Sequence, residues 1–296
     1  MPTLNPKKTS TASTVKRTRT GMKATSRKRR GKKKGISLEW KFVVAALLLI
    51  LLSPFYYGYV IRGFTSTWRW LRDIGEDTAY RTYSSFDIRI PRGYLIHGID
   101  VSSYQGKINW KEVKQMEEDE VRVHFAFIKA TEGVFSVDPY FQRNWREAPK
   151  AGIVCGAYHY FKPKKSGEWQ ARFFLQTVKF ESGDLPPVVD IEELNGASPA
   201  KMRIELHDFL KHIEKSTGTR PIIYTGLSFY KDYLKGYFDD YPLWIAHYYK
   251  SRLDLDRSQW KFWQHSDKAR ISGISHVVDF NTFNGDSLAF DRILIR

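Results

Sequence analysis

Cysteine is almost absent from this 296-residue chain: Cys155 stands alone, so no intramolecular disulfide can form. It lies in an apolar stretch, Ile153 to Phe161, where a lone thiol reads as a small buried hydrophobe rather than a nucleophile. Acidic residues are missing from the first 35 positions, which hold thirteen Lys or Arg. Of the formal net charge of +16, only about +3 is left for everything that follows. The basicity belongs to a tail, and no nucleic acid is expected as a partner. There is also no GxGxxG or Walker motif, which argues against a phosphate-cradling loop. The eight histidines show no HExxH or comparable ligand spacing, so neither a metal nor a cofactor is expected.

The basic tail has almost nothing to bury, and its composition predicts disorder over residues 1–38. An apolar run follows from Phe42 to Ile61, with no polar side chain between Phe42 and Leu52. Twenty residues rising about 1.5 Å each span roughly 30 Å, the thickness of a bilayer core. Tyr56, Tyr57 and Tyr59 fall at the far end, where an aromatic belt sits. A cleaved signal peptide would need small residues at the exit, and the tyrosines there offer none. Residues 39–61 are therefore expected to form a single transmembrane helix, with the N-terminus inside and the rest outside the cytoplasmic membrane. Residues 62–92 read as a stem, polar and patternless between Asp73 and Ser85, with Pro91 and Gly93 marking the start of a folded domain, 93–296.

From Tyr94 onward, β-rich runs alternate with helical patterns. Strands are predicted at Tyr94–Val101, Val123–Ala130, Ile153–Phe161, Pro187–Ile191, Pro221–Tyr224, Leu243–His247, Lys261–Gln264 and Val277–Phe280. Helical patterns fall at Ile108–Asp119, Pro139–Ala151, Glu168–Glu181, Ala200–Thr217 and Phe229–Lys235. That alternation predicts an α/β fold with a parallel sheet, closed as a modified (β/α) TIM-like barrel. In such a barrel the working face is the C-terminal end of the strands.

Three predicted strands end in carboxylates: Asp100, the pair Asp190 and Glu192, and Asp279. Asp190 and Glu192 are two apart on a strand and share a face. Carboxylates held together cannot all ionise freely, so at least one retains its proton toward neutral pH. Glycoside hydrolysis needs that combination: a proton donor for the leaving oxygen and a carboxylate nearby. Aromatics gather at the same strand ends. Tyr158, Tyr160, Tyr224, Trp244, Tyr248 and Trp263 would offer flat faces with polar handles to a sugar. Glu132 lies near a strand end too, but reads as structural and paired with Lys129, while Glu193 points away from Glu192.

Eight collinear segments carry a resemblance: HGIDVSSYQGKINW (97–110), FAFIKATEG (125–133), GAYHYF (156–161), PPVVDIEE (186–193), PIIYTG (221–226), PLWIAHY (242–248), FWQHS (262–266) and VDFNTFNG (278–285). Over about 200 residues the chain resembles glycoside hydrolase family 25, the Chalaropsis-type lysozymes. The resemblance implies cleavage of the β-1,4 bond between N-acetylmuramic acid and N-acetylglucosamine in peptidoglycan glycan strands. It implies Glu192 as general acid/base, Asp190 assisting at the substrate acetamido group, and Asp100 and Asp279 completing an acidic floor. Gln264 would join the aromatics in binding substrate. His265 departs from the family, which usually has an aromatic there, and was expected to alter the groove wall. A non-catalytic, membrane-anchored peptidoglycan-binding module is the alternative, and a metal-dependent phosphodiesterase a third. The expected assembly is a monomer.

Overall fold

The structure, a computed structural model, describes residues 40–44 and 79–296. The chain divides into two compact units, Met1–Thr65 and Ser66–Arg296. In the first, residues 40–44 are helical and exposed. The tail, residues 39 and 45–61 of the expected transmembrane helix, and residues 62–78 of the stem lie outside the described residues. Among those described, no helix is long and apolar enough to cross a membrane.

In the second unit the strands are β1 (Tyr80–Tyr83), β2 (Ile88–Pro91), β3 (His97–Val101), β4 (Glu117–Glu118), β5 (Val121–Glu132), β6 (Ser136–Val137), β7 (Val154–Tyr160), β8 (Val188–Asp190), β9 (Ile222–Gly226), β10 (Leu243–Ala246), β11 (Trp260–Ala269) and β12 (Val278–Phe283). Helices α1 (Trp110–Gln115), α2 (Phe141–Lys150), α3 (Gly167–Thr177) and α4 (Pro199–Thr217) connect successive strands. A short α5 (Leu227–Phe229) runs into a π-helical turn, Tyr230–Leu234, and α6 (Ser287–Ile293) follows the last strand.

Eight strands close a barrel in the order β3-β12-β11-β10-β9-β8-β7-β5, with β5 returning to β3. The expectation of a wholly parallel sheet is corrected at one strand. β12 runs antiparallel to both β11 and β3. Only eight residues separate β11 from β12, too few for the helical crossover that parallel strands require.

Alternation along each strand divides the core in two. Phe125, Phe127, Val188, Tyr224, Trp244 and Phe262 point inward and fill the barrel. Ile99, Ala126, Ile128, Val189, Ile223 and Ile245 point outward and pack with buried helix residues such as Phe174, Leu206 and Phe209. The inner filling explains Gly98: a Cβ there would lie 2.4 Å from the Phe125 ring. Gly156 makes the same allowance for Phe127, at 2.7 Å.

A second correction concerns the expected stem. Tyr80–Tyr83 and Ile88–Pro91 pair as an antiparallel hairpin that belongs to the folded unit. Phe86 at its tip is fully buried and meets Phe280 edge-on at 5.5 Å, while its carbonyl accepts from Arg270 N–H at 2.9 Å. Phe280 is on β12, so the hairpin covers the sector of barrel wall that no crossover helix shields.

Candidate active site

The C-terminal ends of the parallel strands form a pocket of about 260 Å³. Larger clefts lie on the flank and at the opposite end, so this pocket is singled out by its chemistry rather than its size. It is lined by Asp100, Asp190, Glu192 and Asp279, with Tyr158, Tyr160, Tyr224, Trp244, Tyr248 and Gln264. Each of those was expected from the sequence. Ser102 and Lys129 line it as well.

Asp100 ends β3 on the inward face and is buried. Its Oδ2 accepts from Gln264 Nε2 at 2.8 Å and from Asn281 Nδ2 at 2.7 Å. Burial pushes its pKa up to about 6, and these two donors hold it back from going higher. Asp279 stands opposite Asp100 in the β12–β3 register. Burial, and then the charge of Asp100, push its carboxyl well above the usual range.

Asp190 closes β8 and is buried, and one of its carboxylate oxygens has no hydrogen-bond partner. Burial first and the neighbouring Glu192 second drive its pKa well upward. Glu192, two residues on, reaches the exposed rim. Its pKa is raised by burial of the carboxyl end and by the adjacent Glu193. Hydrogen bonds from Asp190 and Tyr224 and the charge of Lys129 work in the other direction. All four carboxyls thus hold their protons more strongly than ordinary carboxylates, and Glu192 is the one that reaches the rim.

Gln264 is the hub beneath them. Its Oε1 accepts from Tyr224 Oη and Tyr248 Oη, each at 2.7 Å, leaving its amide N–H to Asp100. Trp244 is fully buried, stacks on Phe127 at 4.3 Å and donates Nε1–H to Asn281 Oδ1 at 2.8 Å. It is floor rather than an open stacking face. Tyr158, Tyr160 and Tyr248 remain half-buried at the walls.

Trp263 is not in the pocket. It neighbours Gln264 on β11, and successive strand residues face opposite ways, so the two cannot both point inward. Its ring is buried in the outer core and donates Nε1–H to the His247 carbonyl at 2.9 Å. His265 does not touch the groove wall either. It is buried against Trp263 and Phe280 with neither ring nitrogen partnered.

Lys129 and Asn281 were not singled out as site residues from the sequence. Lys129 was read only as a partner for Glu132, and that pair forms at 2.7 Å. Lys162 reaches the other Glu132 oxygen, also at 2.7 Å, and both ammonium groups lie over the Tyr160 ring. Asn281 falls two residues after Asp279 on the same face of β12, which was the available signal.

A closed α/β barrel with a rim carboxyl above a cluster of buried ones at its C-terminal mouth, all of raised proton affinity, has the arrangement of a glycoside hydrolase. The sequence profile of Glycosyl hydrolases family 25 matches residues 99–274, and the chain belongs to that family. It is 49% identical over 243 residues to YegX of Escherichia coli (strain K12), covering 82% of this chain and 89% of that one. It is 37% identical over 207 residues to lysozyme M1 of Streptomyces globisporus, covering 65% and 69%. The solved structure of a family 25 glycosyl hydrolase from Bacillus anthracis is 32% identical with a TM-score of 0.63, covering 74% of this chain and 99% of that chain.

Proposed function

We propose that this protein is a muramidase that cuts the β-1,4 bond between N-acetylmuramic acid and N-acetylglucosamine in peptidoglycan. The observation that carries the reading is Glu192 at the rim of the mouth, its proton affinity raised, beside buried Asp190. Glu192 donates its proton to the leaving glycosidic oxygen and takes one back from the incoming water. Asp190 assists. Its unpartnered oxygen is an acceptor for a substrate N–H, such as that of an acetamido group. Asp100 and Asp279 form the floor beneath the sugar. Membership of family 25 and the lysozyme relatives support the substrate class.

The reading extends to location. A basic tail followed by an apolar run at 42–61 suits a single-pass anchor, placing the barrel outside the cytoplasmic membrane as a monomer.

The test uses residues 79–296. The family 25 structure that matches 74% of this chain is itself spanned almost completely, so a chain of this extent folds on its own. Starting at 79 retains the hairpin. Incubation with purified peptidoglycan, with and without chelator, is followed by mass spectrometry of the new reducing ends. New N-acetylmuramic acid ends in both samples are expected. Intact glycan with protein bound to it would replace the muramidase by a binding module. Loss of cleavage with chelator would point to a metal-dependent hydrolase.

A further inference from the structure

At the barrel end opposite the acidic mouth, a cleft of about 880 Å³ opens beside the segment leading into β3 and the loop before β11. Its position follows from strand direction. Tyr94 precedes β3 and Trp260 opens β11, and later residues of these strands, Asp100 and Gln264, line the mouth. Four residues of strand put roughly 13 Å between the two ends of β11.

Five cations and two carboxylates line this cleft, and both carboxylates are already engaged. Asp254 pairs with Lys231 at 2.6 Å. Asp256 accepts from the Ser258 backbone N–H and hydroxyl. Lys235 and Arg252 have no ion-pair partner among the described residues. Arg257 lies over the Tyr94 ring at 5.2 Å, and Arg92 commits only Nε, to the Tyr80 carbonyl. Five cations against two carboxylates leave the lining a net charge of about +3 around one concavity, and such a field concentrates anions.

One further feature narrows the ligand. Leu95, next in sequence to Tyr94, is 70% exposed. Cations around a concavity near an exposed aliphatic side chain match the boundary of an anionic lipid bilayer.

The cleft also lies where the chain joins the domain, because Arg92 N–H donates to the Ala79 carbonyl at 2.8 Å. The apolar run ends at Ile61, and the intervening stretch reaches at most about 60 Å when extended.

We propose that this cleft binds the anionic headgroups of phospholipids, seating the barrel floor on the membrane and turning the acidic mouth away from it. The proposal rests on the anchor reading only for what brings domain and bilayer together. The affinity itself belongs to residues 79–296, which lack the apolar run.

That chain is floated with vesicles of phosphatidylcholine alone and with vesicles containing about 30% phosphatidylglycerol, at low and high salt. Binding to the anionic vesicles alone is expected, with release near 0.5 M salt, where the screening length is only a few ångströms. The double variant Arg252→Glu/Arg257→Glu is expected to bind at least about thirtyfold more weakly, as two lost headgroup contacts require, and to digest peptidoglycan at the wild-type rate. No vesicle binding, equal binding to both vesicle types, or unchanged binding by the variant would overturn the proposal. Displacement by inorganic phosphate beyond the effect of equal ionic strength would reassign the cleft to free phosphate. Whether the full chain needs detergent to leave membranes is read separately, so failure of the cleft and failure of the anchor are distinguishable.

Discussion

Glu192 and Asp190 differ in what surrounds them more than in what they are. Asp190 is walled in at the end of β8, whereas Glu192 reaches the rim, where a leaving group can take its proton. Glu192→Gln keeps the shape and removes the proton. Turnover of peptidoglycan should fall by at least about a thousandfold, with the thermal midpoint of unfolding nearly unchanged; near-normal turnover would remove Glu192 from its role. Lys129 supplies an opposing influence, since its charge favours the ionised forms of both acids. Lys129→Met should therefore raise the proton affinity of Glu192. The general acid then holds its proton to higher pH, and the alkaline limb of the kcat/KM profile moves upward. A limb that stays in place would confine Lys129 to its pairing with Glu132.

The β1–β2 hairpin does for one sector of the barrel what the crossover helices do elsewhere. β12 turns back directly from β11, so its outward residues receive no helix of their own. Phe86 fills that gap against Phe280. Phe86→Ala should cost about 3–5 kcal/mol, the range for truncating a fully buried Phe. Denaturant unfolding of residues 79–296 measures it, and activity per folded molecule should be retained, since the mouth is formed by other residues. A loss within about 0.5 kcal/mol, as at exposed positions, would show the hairpin to be loosely applied.

Across the molecule, charge and titration are separated by place. Acids gather at one end of the barrel and unneutralised cations at the other. Buried histidines lie between wall and helices or hairpin. Burial pushes His97 and His265 down to about 3 and His159 down to about 4. An unfolded chain protonates these histidines near 6.5 while the folded one resists, so each contributes a loss of stability as pH falls from 6.5 toward 3. Asp100 acts in the opposite sense. With a folded value of about 6 against 3.8, its contribution favours folding below 3.8 and is lost as pH rises through 6. The two trends overlap, so the histidine part is isolated by substitution. His265→Phe should gain on the wild type by about 1.4 kcal/mol for each pH unit below 6.5, seen as a widening difference in Tm between pH 7 and pH 4. A constant difference would mean that His265 is protonated in the fold.

The amino-acid sequence by itself determined the strand-and-helix alternation, the acids Asp100, Asp190, Glu192 and Asp279, and the aromatic strand ends. These are local patterns, because period-2 alternation and short spacings are written along the chain. Tertiary structure decided which side of β11 faces the mouth. Trp263 and Gln264 are equally plausible in a list of aromatic and polar candidates, and the barrel admits only one of two neighbours. It also decided that the end of the expected stem folds as a hairpin. Four-residue strands carry too little pattern to stand out, and Phe86 is worth burying only against a surface built from residues almost two hundred positions later. The direction of β12, the hub at Gln264 and the place of Lys129 among the acids arise in the same way, from closure of the barrel. Closure joins β3 to β12 and to β5 and places side chains far apart in sequence around one pocket, a relation that no local spacing encodes.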